Sequence, residues 1–281
     1  MELMSKTKTQ MGDRPLILFF IISFSMAWLL GGVAIAENYG LLKFNLPVLP
    51  FLTIGSWGPN IAAFIVLGFI MKKKSRIKDL LKDWCRWNIN IFWYVVAVSP
   101  VAVAFLGLGL YKVFHGSIPL SEEIVNPVAL IVSLILSLVT GATGEELGWR
   151  GFALPWLQTK MNALFASIVL GVIWSLWHLP LWFAGLGFES MSFGAYMIVG
   201  VSFSVIVTWS LNNTKGSMVL ASLLHMFLNF SLIIFKDEVF PYFASAFAVY
   251  AIVIVIIYGP KKLSKSSVAI PVDKNHNTWI A

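Results

Sequence analysis

The chain has 281 residues, of which 58% are hydrophobic and only 12% charged, and its mean hydropathy is +0.83. These values exclude an ordinary soluble domain and point to a polytopic membrane protein. The net charge of +7 does not signal nucleic-acid binding, because the basic residues lie in short segments between apolar runs, which is the pattern of membrane topology. One cysteine, Cys85, excludes an intrachain disulfide and reads as a spectator thiol.

The apolar runs predict an all-α fold of eight transmembrane helices, at about 16–36, 50–71, 91–113, 126–158, 161–183, 192–211, 216–235 and 240–259. Most hold about 20 residues, enough for a helix to cross roughly 30 Å of hydrocarbon. Membrane strands are disfavoured because the runs are continuously apolar rather than alternating. Residues 1–15 read as a cytoplasmic N-terminus. Lys6, Lys8 and Arg14 precede the first run and Ala34-Ile35-Ala36 resembles a cleavage site, but the run exceeds the roughly 7–15 apolar residues of a signal peptide and reads as a retained helix.

Between the second and third runs, KKKSRIKDLLKDWCRW at 72–87 carries Ile77, Leu80, Leu81 and Trp84 at helical spacing. It predicts a basic interfacial helix on anionic lipid. Residues 260–281 read as a flexible cytoplasmic tail. Lys43, Lys112 and Lys236 fall on the far side, and the other Lys and Arg residues, apart from Arg150 within the fourth run, fall on the side that holds both termini. That asymmetry favours cytoplasmic termini for the membrane domain at 16–259.

Ionisable residues interrupt the fourth, fifth and seventh runs: Glu145, Glu146 and Arg150 in GEELGWRG, His178 in WSLWHLP, and His225 with Asn229 in LLHMFLN. Charge inside a membrane helix is costly, about 2.5–3.5 kcal/mol on insertion scales, and marks a candidate functional site. Glu146 and Arg150 are i,i+4 and can pair on one face, whereas Glu145 points about 100° away. His225 and Asn229 share a face, as do Trp174 and His178. Glu145 and His178 reach similar depth only if the fourth helix continues to about Gln158, kinked near Pro155. Glu145 then lies about 18–20 Å along it. Arg150 reads as structural, holding Glu146 ionised, and Trp174 as a neighbour of the site or a packing residue. A single membrane histidine often serves only as a hydrogen-bond partner between helices, and His115 and His276 carry no assignment.

A carboxylate and two imidazoles can hold a water and take its proton, and Asn229 could donate to a developing oxyanion. No serine sits in a G-x-S-x-G elbow, so attack by water is the economical reading. Glu145, His178 and His225 are also a ligand set used by zinc, but the H-E-x-x-H spacing is absent and a metal stays open.

These motifs, Glu145-Glu146-Leu147-Gly148-Trp149-Arg150, Trp174-Ser175-Leu176-Trp177-His178 and His225-Met226-Phe227-Leu228-Asn229, resemble the CPBP family, the CAAX protease and bacteriocin-processing (Abi) intramembrane endopeptidases. The resemblance covers a motif core at about 140–232, and its one departure is Trp174, where Phe is common. It implies hydrolysis of a peptide bond in a membrane-associated peptide or protein. Glu145 would activate water, His178, His225 and Asn229 would position it or stabilise the oxyanion, and Glu146 and Arg150 would support them. The bacterial-type flanks imply a multi-pass protein of a bacterial cytoplasmic membrane. Two other readings stay open: a proton-coupled transporter using the same ionisable groups, and a non-catalytic bacteriocin-immunity or scaffold protein on the same fold.

Overall fold

A computed structural model describes residues 12–43 and 48–265. Lys6, Lys8 and the part of the expected tail beyond Lys265, with His276, lie outside the described residues. Among the described residues the regular structure is helical, apart from one isolated antiparallel bridge between Leu120 and Phe235. The helices are α1 (Arg14–Asn38), α2 (Val48–Ser56), α3 (Gly58–Ile65, continued by a π turn at Val66–Ile70), α4 (Lys74–Trp84), α5 (Ile91–His115), α6 (Pro127–Gln158), α7 (Ala163–Trp177, continued by a 3-10 turn at Leu179–Phe183), α8 (Phe193–Asn213), α9 (Met218–Ser231) and α10 (Phe240–Tyr258).

The protein is an all-α, multi-pass membrane protein. Among the described residues six helices are long and apolar enough to cross a bilayer, and the pair Pro50–Ser56 with Gly58–Ile70, bent by 44°, makes a seventh if counted as one span. The expected seventh run at 216–235 is helical only over the 14 residues of α9. At 1.5 Å per residue α9 reaches about 21 Å, short of a full crossing. Its apolar sequence continues, but Ile234 and Lys236 turn away to pair with the segment before α6: Ser121 N–H donates to the Ile234 carbonyl at 3.1 Å and Lys236 N–H to the Pro119 carbonyl at 3.0 Å.

Local sequence sets the helix starts. Asn126 accepts from the amides of Val128 and Ala129 ahead of Pro127, Asn162 caps α7 through Phe165 N–H at 2.9 Å, and Ser217 caps α9 through Leu220 N–H. Such caps satisfy first-turn amides that have no partner within the helix. The free amides of Ala163 and Leu164 bond to the carbonyls of Lys261 and Pro260. The Asn212 and Asn213 side chains reach the carbonyls of Lys262 and Leu263. The first residues of the expected tail are therefore tied across the ends of α7 and α8. Asp13, before α1, pairs with Lys160 in the α6–α7 connection, and that hydrogen bond holds the Asp13 carboxyl below the usual carboxylate range.

Packing brings the motif helices together. α7 lies along α8, α9 packs against α5 and the first half of α6, and α3 crosses α6 at Thr143–Gly148. The α3–α6 crossing is close enough to require glycine. A Cβ on Gly148 would stand 2.3 Å from the Pro59 carbonyl oxygen, and one on Gly144 would stand 2.9 Å from the Trp57 ring. Small residues at four-residue spacing allow such backbone approach between membrane helices. The basic helix α4 buries Leu80 against α6 at Gly151, where an added Cβ would lie 2.8 Å from the leucine side chain. Lys74, Lys78 and Lys82 remain exposed.

Candidate active site

Within α6 two π turns, Ser137–Ala142 and Trp149–Ala153, flank the short α-helical segment Thr143–Gly148 that carries both glutamates. A π turn inserts an extra residue into a helical turn and often marks a functional site. The helix does run to Gln158, as the depth argument requires. Its irregularity, expected near Pro155, lies just before that proline, which has no N–H to return to the preceding turn. Carbonyls displaced by the first π turn find other donors: Trp57 Nε1–H reaches Val139 at 2.9 Å, Thr143 Oγ1–H reaches Leu138 at 2.8 Å, and Ser222 Oγ–H reaches Ala142 at 3.1 Å. Backbone polar groups inside a membrane must be satisfied within the protein.

Asn60, which sequence reasoning missed, splints this segment from outside. Its Nδ2–H donates to the Thr143 carbonyl at 2.6 Å, and its Oδ1 accepts Gly148 N–H at 2.9 Å. One carboxamide thus brackets Glu145 and Glu146. The only signal was a polar residue directly after Gly58-Pro59 in an apolar run, and nothing local said that α6 would cross there. The variant Asn60→Ala removes two hydrogen bonds to the α6 backbone, at about 0.5–1.5 kcal/mol each. A lowered thermal midpoint in detergent together with reduced activity is the expected result.

The six residues picked from the sequence assemble in two layers. Behind, and at most 1% exposed, Arg150 Nη1 pairs with Glu146 Oε1 at 3.1 Å, and His225 Nδ1 meets the same oxygen at 2.7 Å. Arg150 Nη2 reaches Ser204 Oγ at 3.4 Å, and its guanidinium stands 5.2 Å from the ring centres of both Trp174 and Phe203. Buried charge is tolerable only when paired and hydrogen-bonded, and the i,i+4 spacing of Glu146 and Arg150 provides the pair. In front, Glu145, His178, His225 and Asn229 line one cavity of about 490 Å³ between α1, α2, α6, α7 and α9. Glu146 and Arg150 are not part of its wall.

The front layer is held by specific bonds. Trp174 Nε1–H donates to Glu145 Oε2 at 2.6 Å, so Trp174 touches the site rather than merely packing near it. His178 Nδ1 sits 2.8 Å from the Trp174 carbonyl. A carbonyl can only accept, so Nδ1 carries the proton and a neutral His178 presents Nε2 as an acceptor. Gly141 brings the α6 backbone against Asn229 and His225. An added Cβ there would lie 2.6 Å from Asn229 Nδ2 and 3.2 Å from His225 Nε2. Tyr196, also missed from the sequence, completes the wall with its ring centre 5.6 Å from that of His178. It is one aromatic among many in the chain and carries no local mark.

His115 instead meets the Tyr242 hydroxyl at 2.8 Å. Among the described residues, no three His, Cys, Asp or Glu side chains stand as a group that could hold a metal ion. Glu145, His178 and His225 share the cavity without forming such a set, and Glu145 Oε2 is already engaged by the indole N–H.

Comparison with known proteins converges on the same segment. A family model described as type II CAAX prenyl endopeptidase Rce1-like matches residues 127–231, which include all six motif residues. A CAAX prenyl protease 2 from Methanococcus maripaludis is 30% identical over 187 residues, covering 61% of this chain and 69% of that protein. Lysostaphin resistance protein A is 20% identical over 229 residues in Staphylococcus haemolyticus and 27% over 184 residues in Staphylococcus aureus strain Newman. This chain spans 58% and 42% of the length of those two relatives. With four of the six motif residues on one cavity, the other two paired behind it, and a relative matched at this level over most of its length, the chain belongs to the CPBP, or CAAX-protease, family of membrane endopeptidases.

Proposed function

We infer that the protein is an intramembrane endopeptidase that hydrolyses a peptide bond of a membrane-associated peptide or protein with a water activated by Glu145. One observation carries the reading: a carboxylate, two imidazoles and a carboxamide face a single cavity, while the remaining acid is paired with Arg150 behind it.

The chemistry follows from the donors and acceptors present. A water between Glu145 and His178 gives one proton to the Glu145 carboxylate as its oxygen bonds to the scissile carbonyl carbon. His178 Nε2 accepts from the other water hydrogen and holds the nucleophile in line. Asn229 Nδ2–H donates to the carbonyl oxygen as it becomes an oxyanion. Glu146 fixes the ring of His225 so that Nε2 stays beside Gly141 and Asn229. Collapse of the tetrahedral species breaks the C–N bond, and Glu145 returns its proton to the leaving amine.

The test is cleavage of a membrane-peptide library by the purified protein in detergent, followed by mass spectrometry. Discrete products are expected, and Asn229→Ala should lower kcat by about 10²–10³ with KM little changed. No product from any peptide, with ion-coupled uptake in proteoliposomes instead, would replace this reading by the transporter one. The same preparation treated with a strong chelator should keep its activity. Loss on chelation and recovery with zinc would move Glu145, His178 and His225 into a ligand set.

A further inference from the structure

Trp174 makes three contacts that no packing residue needs at once. Its Nε1–H bonds to Glu145 Oε2 at 2.6 Å. Its own carbonyl takes His178 Nδ1–H at 2.8 Å. Its ring stands 5.2 Å from the Arg150 guanidinium and edge-to-face with His225 at 5.5 Å. The indole is buried at 2% exposure, so water does not compete for these bonds.

We propose that Trp174 is a positioning residue for the reaction, which locks Glu145 by one carboxylate oxygen and leaves the other to the water, while its carbonyl sets His178 in the tautomer that accepts from the same water. An indole N–H can only donate, so the bond is available to a carboxylate in either orientation, but it occupies one oxygen and removes the rotation that would exchange the two. The water-binding pair, Glu145 and His178, is then aligned by a single residue of α7. Displacement of reacting groups by about 1 Å costs on the order of 10²-fold in rate, so the lock has a kinetic consequence. This proposal rests on Glu145 acting as the base.

The experiment uses the full chain with two replacements at one position. Trp174→Phe removes the N–H and some ring volume. The sulfur isostere of tryptophan, 3-benzothienylalanine, removes the N–H alone and keeps the ring between Arg150 and His225. Both should lose kcat by about 10- to 100-fold with KM within about threefold of wild type, and the isostere should keep the wild-type thermal midpoint. Wild-type kcat in the isostere, with or without a loss in Trp174→Phe, would overturn the proposal and leave Trp174 a packing residue. A rise in KM at unchanged kcat would overturn it equally. Glu145→Gln assayed in parallel separates the levels: if it cleaves like wild type, the assignment of Glu145 as the base fails, whatever Trp174 does.

Discussion

Glu145→Gln is expected to abolish peptide cleavage while leaving the fold as stable as before, or more so. Gln keeps the shape of the side chain and an oxygen for the Trp174 N–H, so the 2.6 Å bond has a replacement acceptor. What disappears is the group that takes the proton from water, and general-base catalysis is worth about 10²–10⁴ in rate. The substitution also removes a carboxylate that is only 2% exposed and has no cation of its own, since Arg150 is paired with Glu146. Buried charge carries a desolvation cost, and functional sites commonly give up stability for activity. Loss of products with a thermal midpoint equal to or above wild type is the expected outcome. Cleavage within about threefold of wild type would end the assignment of Glu145.

The second large effect is expected in stability. Arg150→Met strips the cation from a pocket in which Glu146 is fully buried and His225 is 1% exposed. Breaking one partner out of a buried ion pair typically costs about 3–5 kcal/mol, because the other charge is left uncompensated. The loss should appear as a midpoint lowered on the order of 10 °C and as reduced activity, since Glu146 also orients His225. Adding Glu146→Gln to Arg150→Met removes the orphaned charge and should recover part of that loss. A double variant no more stable than Arg150→Met would show that cation–π packing on Trp174 and Phe203, and not the ion pair, carries the contribution of Arg150.

Short-range geometry made much of the site legible in the sequence. The i,i+4 spacing gave the Glu146–Arg150 pair, and the 100° offset of its neighbour separated Glu145. In the structure that offset becomes the difference between a residue in the cavity wall and one behind it. The demand that Glu145 and His178 meet required α6 to continue past Pro155, which it does. The two π turns left no trace, because a helical register that slips by one residue needs no special residue type to mark it. Asn60 and the indole bond of Trp174 are contacts between helices distant in sequence, set by glycine-mediated approach. No periodicity encodes those. The length of α9 was misjudged for a related reason: apolar content continued through Phe235, but backbone pairing with Pro119 and Ser121 ended the helix.

The uneven burial of α6 gives it the mechanics of a cantilever. Every residue from 144 to 157 is buried, whereas no residue of Pro127–Leu136 is. The clamped half holds Glu145, Glu146 and Arg150, and the free half supplies Ser133 and Leu136 to the cavity wall. Between them lies the π turn Ser137–Ala142. Any widening of the cavity for an incoming chain would therefore fall to the Ser133 and Leu136 side of its wall, while Glu145 is held in the clamped half.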